Sequence, residues 1–124
     1  MQHKTLGMAC LFAMSAAAAC AHARVAVGYA DTACAHWNDI HSSSAVVDVV
    51  REDGMVQWVS GYLTAVNAIR IGARQRPYGL PSYGALKAMV HARCHAVPTR
   101  TFQQVADGLH LDLRDMETLS TPGE

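Results

Sequence analysis

Most of the signatures that announce a function are missing from this chain. No serine sits in a Gly-x-Ser-x-Gly elbow; Ser60 is followed by Gly61, but nothing around it builds the strained turn that such a nucleophile needs. The aspartates and glutamates are scattered and form no acid/base pair, so neither residue pattern points to an enzyme. Charged residues make up 16% of the chain and cancel to a net charge of zero, with no basic tract. That argues against nucleic acid or an anionic membrane as the main partner. Lysine is scarce: beyond Lys4 near the N-terminus, Lys87 is the only one. There is no internal repeat, and nothing in the pattern asks for a cofactor.

Long apolar runs are also lacking. The longest, Leu6 to Ala19, is too short to cross a bilayer comfortably. It follows the basic stretch Met1-Gln2-His3-Lys4 and precedes Ala21-His22-Ala23, a small-x-small cleavage pattern. This order predicts a secretory signal peptide over residues 1–23, with the mature chain beginning at Arg24 and not inserted in a membrane. Ala17-Ala18-Ala19-Cys20 faintly resembles a lipobox, but Ala17 stands where a large residue such as leucine is usual, which disfavours acylation at Cys20.

Four cysteines become two once Cys10 and Cys20 leave with the leader. In an oxidising compartment the remaining pair, Cys34 and Cys94, reads as a disulfide. Closing a loop of about 60 residues stabilises a fold by roughly 4 kcal/mol in the chain-entropy treatment.

The periodicity of residues 24–119 predicts an all-α single domain of about four helices. Asp31 is the expected cap of the first, which buries Ala33, Cys34, Trp37 and Ile40 and ends near His41. The valines of Ala45 to Val50 fit either a strand or a helix, and this segment stays unassigned. Asp53-Gly54 is expected to open the longest helix, Met55 to about Ala73, with a stripe of Met55, Trp58, Val59, Tyr62, Leu63, Val66 and Ile69. Gly61 inside it costs about 1 kcal/mol against alanine, which close approach of another helix would offset. A loop from Gln75 to Pro81 follows. Ser82 caps a third helix that buries Tyr83, Leu86, Val90, Cys94 and Val97. Pro98 stops it, and Thr99 is the expected cap of a fourth, burying Phe102, Val105, Ala106 and Leu109. Gly108 leaves the end of that helix open, and Ser120 to Glu124 reads as a frayed tail.

The competing reading of the cysteines is a zinc site built from Cys34, His36, Cys94 and His95, with His91 nearby. Helix phasing weighs against it: His91 and His95 follow Lys87 at steps of four, on a flank turned about 100° from the Leu86–Val90–Cys94 stripe. The aromatic residues Trp58, Tyr62 and Tyr78 are candidates for a partner-binding surface, although helical spacing favours core packing for the first two. Tyr78 is the exception because it sits in a loop. Arg70 and Arg74 are candidates for an acidic partner, the plainer account being a cationic helix end that suits the dipole. Asn67, polar within an apolar helix, reads as an exposed residue or one with an internal hydrogen bond.

Cys34-Ala35-His36-Trp37, then Trp58-Val59-Ser60-Gly61-Tyr62-Leu63, then Cys94-His95-Ala96-Val97-Pro98 before a short amphipathic helix, together resemble the small periplasmic proteins related to the acid-stress chaperones HdeA and HdeB. The resemblance covers roughly Cys34 to Leu109. It implies a helical periplasmic protein with bridged cysteines, a homodimer at neutral pH that opens in acid and holds unfolded clients on apolar surface near Trp58 and Tyr62. The lysine-rich ends of that family are absent here. The Trp58–Leu63 segment is also similar to a helix of the Tai-type immunity proteins of type VI secretion, which implies a periplasmic inhibitor of a peptidoglycan amidase toxin; cysteine placement there differs.

Overall fold

A computed structural model describes residues 28–120, with side chains described as far as Thr118. The expected signal peptide and residues 121–124 lie outside the described residues. Four helices follow in order: α1, Cys34–His41; α2, Val46–Gly72; α3, Tyr83–Ala96; and α4, Phe102–Ser120. Among the described residues the only extended pairing is one isolated antiparallel bridge, Ala33 with Thr101. The all-α expectation holds.

That bridge explains why α1 starts later than its sequence indicates. Thr32 closes a turn onto Tyr29, and the extended residue Ala33, not Asp31, precedes the helix. No side chain caps it. Its first N–H groups are satisfied by the opposite loop instead: Cys34 donates to the Arg100 carbonyl at 2.7 Å and Ala35 to that of Pro98 at 2.8 Å. Cys34, Trp37 and Ile40 then point into the core at helical spacing.

The long helix α2 begins at Val46, not Met55, and runs through Asp53-Gly54 without a break. Asp48 lies in its first turn, where a carboxylate suits the positive end of the dipole, and pairs with Arg51 at 3.3 Å. One turn later Glu52 is anchored to two other helices. Those local and tertiary ties outweigh the β-preference of the valines, which is worth only tenths of a kcal/mol per residue. Met55, Val56, Val59 and Leu63 form the buried stripe, with Trp58, Tyr62 and Val66 half-buried beside it. Ile69, expected in that stripe, is 72% exposed. Gly61 is exposed and, among the described residues, has nothing within 4 Å of the place a Cβ would occupy, so none of the described helices approaches it as expected.

The helix closes in a Schellman arrangement. Gln75 donates to the Arg70 carbonyl and Arg74 to that of Ile71, with Arg74 in the left-handed region at φ 59. Ser82 caps α3 as expected, its Oγ accepting from the Ala85 N–H at 3.4 Å. Leu86, Val90 and Cys94 are buried, whereas Tyr83 is 42% exposed and only reaches across to Asp53. Thr101, not Thr99, caps α4: its Oγ1 accepts from the Gln104 N–H while the Gln104 side chain accepts from the Thr101 N–H. That reciprocal pair is a capping box. Gly108 does not end the helix, because the Arg93 side chain lies against it and reaches Asp112 one turn further on.

The core is one cluster in which Trp37, Met55, Leu63, Phe102 and Leu109 are the largest fully buried side chains. The helix α1 packs on α2 and α3, and α4 closes the other side against the same two. Cys34 and Cys94 form the disulfide, Cα–Cα 4.7 Å, fully buried, and it ties the first residue of α1 to the last turn of α3.

Candidate functional surfaces

Three arrangements stand outside ordinary core packing. The first is a buried charge cluster where α1, α2 and α3 meet. Glu52 is 6% exposed and was not singled out by the sequence, where it looks like a surface residue beside Asp53 and Gly54. Its Oε2 accepts from Lys87 Nζ at 2.6 Å and its Oε1 pairs with His41 Nδ1. Burial pushes its carboxyl up, but the hydrogen bonds and charges of Lys87 and His41 outweigh that, and the net shift is downward. The His41 ring stacks between Trp37 at 5.5 Å and His91 at 4.1 Å, and His91 in turn lies 6.0 Å from His95. Trp37 Nε1 donates to His91 Nδ1 at 3.4 Å. Burial, followed by the neighbouring His41 and His95, lowers the His91 pKa.

Glu52 is held by two partners, Lys87 and His41. The sulfurs of Cys34 and Cys94 are joined to each other, while His36 and His95 are exposed. Among the described residues no three His, Cys, Asp or Glu side chains are grouped to hold a metal ion.

The second arrangement takes two of the residues named as partner-binding candidates, Arg70 and Tyr78, and uses them internally. Tyr78 is 7% exposed although it sits in a loop, which corrects the reading of it as a surface residue. Asn67 explains why: its Nδ2 donates to the Tyr78 carbonyl at 3.0 Å and its Oδ1 accepts from the Tyr78 N–H at 2.8 Å. This is the internal hydrogen bond its sequence context allowed. Arg70 lies 3.7 Å over the Tyr78 ring, donates to the Arg76 carbonyl at 2.8 Å and bridges to Glu117 on α4 at 2.8 Å. The loop is thereby pinned between α2 and α4. Beside it is a depression of about 310 Å³ lined by Arg76, Pro77, Leu113 and Met116, among others. Arg74 stays exposed and does not join the group.

Trp58 and Tyr62 also have structural partners. Their rings stack at 6.2 Å, and Tyr62 donates to Asp107 on α4 at 2.5 Å. Burial first, then the Asp107 carboxylate, raises the Tyr62 pKa to about 12.

The third arrangement is the exposed aliphatic residues of α2. Val46, Val47, Val49 and Val50 are all exposed around its first two turns, and Ile69 and Ile71 near its end. Residues of the middle of the helix, Gln57, Gly61, Thr64 and Ala68, are exposed as well. The sequence pointed instead to the aromatics for apolar surface; the valines were legible as apolar but not as outward-facing, since their helix was unassigned. No helix among the described residues is long and apolar enough to cross a membrane.

The fold defines a small all-α domain closed by one disulfide. No family model, curated protein or solved structure matches the chain.

Proposed function

We propose that the mature chain is an exported, non-enzymatic protein-binding protein of the periplasm, similar in kind to the HdeA/HdeB proteins, which holds its partner on the exposed start of α2. The observation that carries this reading is the exposed aliphatic cluster at the start of that helix, Val46, Val47, Val49 and Val50. A soluble domain rarely leaves so much aliphatic surface open on one element without a partner for it. The leader pattern of residues 1–23 and the buried disulfide support export.

Two measurements test the proposal. N-terminal sequencing of the protein from a periplasmic fraction should begin near Arg24. Light scattering should show that the mature protein suppresses aggregation of an unfolding client, at neutral pH or at pH about 3, where acid-stress proteins act. Replacing Val46, Val47 and Val50 together by serine should abolish the suppression. A wild-type protein that protects no client at either pH sinks the reading.

A further inference from the structure

We infer that the depression between the 75–81 loop and α4 takes the C-terminal residue of a polypeptide, its apolar side chain on the floor and its free carboxylate on Arg76. The site lies apart from the valines of α2 and stands on its own residues. Three observations carry it.

The first is charge. Glu117 is the one carboxylate lining the depression, and it is already met by Arg70 at 2.8 Å. Arg76, in the same lining, and Arg74 beside it in sequence are exposed, and neither has an ion-pair partner among the described residues. Arg100 apart, every other described lysine and arginine has a carboxylate partner. Unmet positive charge is therefore concentrated on this loop. A guanidinium at the edge of an apolar recess calls for an anion, and a carboxylate meets its paired N–H donors with two oxygens.

The second is Gly79. It lines the depression, its φ is not positive, and a Cβ there would meet nothing within 4 Å. Neither backbone conformation nor packing among the described residues asks for glycine at this place. What the missing side chain provides is open space and a backbone that a ligand can approach. The Gly79 N–H has no acceptor among the described residues, so a second donor lies on the same rim as Arg76. Extended segments with unused backbone N–H groups are a recurring way of holding polypeptide ends.

The third is that the recess is ready made. Tyr78 is tied through both its N–H and its carbonyl to Asn67, and Arg70 holds the Arg76 carbonyl and covers the Tyr78 ring. Binding there orders no loop, which removes a usual cost of taking up a peptide. Pro77, Leu113 and Met116 supply the apolar floor, and the unbranched Met116 can adapt to the group it receives. At about 310 Å³ the depression is at the small end of ligand sites. Open along the surface, it covers one side chain and does not enclose the tail of a lipid.

The test is fluorescence anisotropy of a labelled glycine/serine peptide ending in leucine, titrated with the mature, oxidised protein. The free acid should bind at least about tenfold tighter than the same peptide with a C-terminal amide, and tighter by the same margin than one ending in serine. Arg76→Gln keeps the carbonyl that Arg70 uses and should abolish the preference for the acid. Gly79→Leu should weaken binding while leaving the helical circular dichroism of the wild type. Replacing Val46, Val47 and Val50 by serine should leave peptide binding unchanged, so loss of client protection and loss of this site are told apart. A change in peptide binding in that variant places the peptide on α2 and overturns the inference. So does a free acid that does not bind up to about 1 mM, an acid and amide that bind alike, or octanoate that binds more tightly than the peptide.

Discussion

Reducing the Cys34–Cys94 bond should remove a large share of this domain's margin of stability. The two cysteines are 60 residues apart, and the chain-entropy treatment converts a loop of that length into about 4 kcal/mol at 25 °C. Small domains have about 5–15 kcal/mol in total. For a domain of this size each kcal/mol moves the melting temperature by about 4–8 °C, so reduction should lower Tm by about 15–30 °C. The loss has a definite location. With eight residues and no capping side chain, α1 is far too short to be helical alone. Besides the disulfide it is held by the two backbone hydrogen bonds to the loop at 98–100, by the side-chain contacts of His41 with Glu52 and of Trp37 with His91, and by the burial of Trp37 and Ile40.

Thermal unfolding followed by circular dichroism, with and without a phosphine reductant, measures the first quantity. A Cys34→Ala, Cys94→Ala double variant repeats it without reductant, with a small further cost because both sulfurs fill fully buried space. Amide exchange measures the second: protection of Trp37 through His41 should fall before that of Val56 through Leu63. A Tm change below about 5 °C, or equal loss of protection in both helices, would refute the argument that the bond sets stability by pinning α1.

Other consequences are as direct. Asn67→Ala leaves the Tyr78 N–H and carbonyl without their partner in a buried setting and should cost about 1–3 kcal/mol in urea unfolding. Arg74→Gly removes a left-handed side-chain residue from the end of α2 and should stabilise by about 1 kcal/mol in the same assay. The pH profile should fall in two windows. Because His91 has a lowered pKa, the folded state binds fewer protons than the unfolded one; stability present above the ordinary 6.5 is lost as pH falls through the folded value. Glu52 is also lowered, so its contribution is present above the ordinary 4.5 and lost as pH falls through its own folded value. His91→Gln should flatten the upper window and Glu52→Gln the lower; a stability profile already flat across both in the wild type contradicts the assignment. Tyr62 and Tyr83, each raised to about 12, should ionise late in an absorbance titration, and Tyr62→Phe should remove one of the two late groups.

The core was largely written in the periodicity. Cys34, Trp37 and Ile40, then Met55, Val59 and Leu63, then Leu86, Val90 and Cys94 recur at helical spacing, and all are buried. Ser82 caps the helix its position indicates. What periodicity does not carry is the identity of a partner far along the chain. Glu52 is buried because Lys87 and His41 arrive from two other helices, and no window around residue 52 contains them. Tyr78 enters the core because Asn67 and Arg70 fix its backbone and ring. The starts of α1 and α4 were misjudged for a related reason: Ala33 and Thr101 are held by each other across the fold, so the better local caps, Asp31 and Thr99, lie outside the helices. Arg70 and Tyr78 illustrate the same limit for function. Cationic and aromatic residues in a loop region have the composition of a binding surface, yet here they are occupied in holding that loop.

The start of α2 is where local preference and observed structure differ most, and the difference bears on what the surface is for. Valines at exposed helical positions are unfavourable twice, through restricted rotamers and through aliphatic area left in water. The dipole contact of Asp48 and the anchoring of Glu52 are enough to propagate the helix back to Val46, but neither one covers the valines. Shielding them within the chain would require an element on the outer side of α2, and the four described helices pack their buried faces elsewhere. A partner removes the second penalty, the aliphatic area left in water. If these valines were ordinary solvent-exposed surface, Val46→Lys and Val50→Glu together should leave client protection unchanged and raise helix stability slightly; a loss of protection with the fold intact is the outcome expected here.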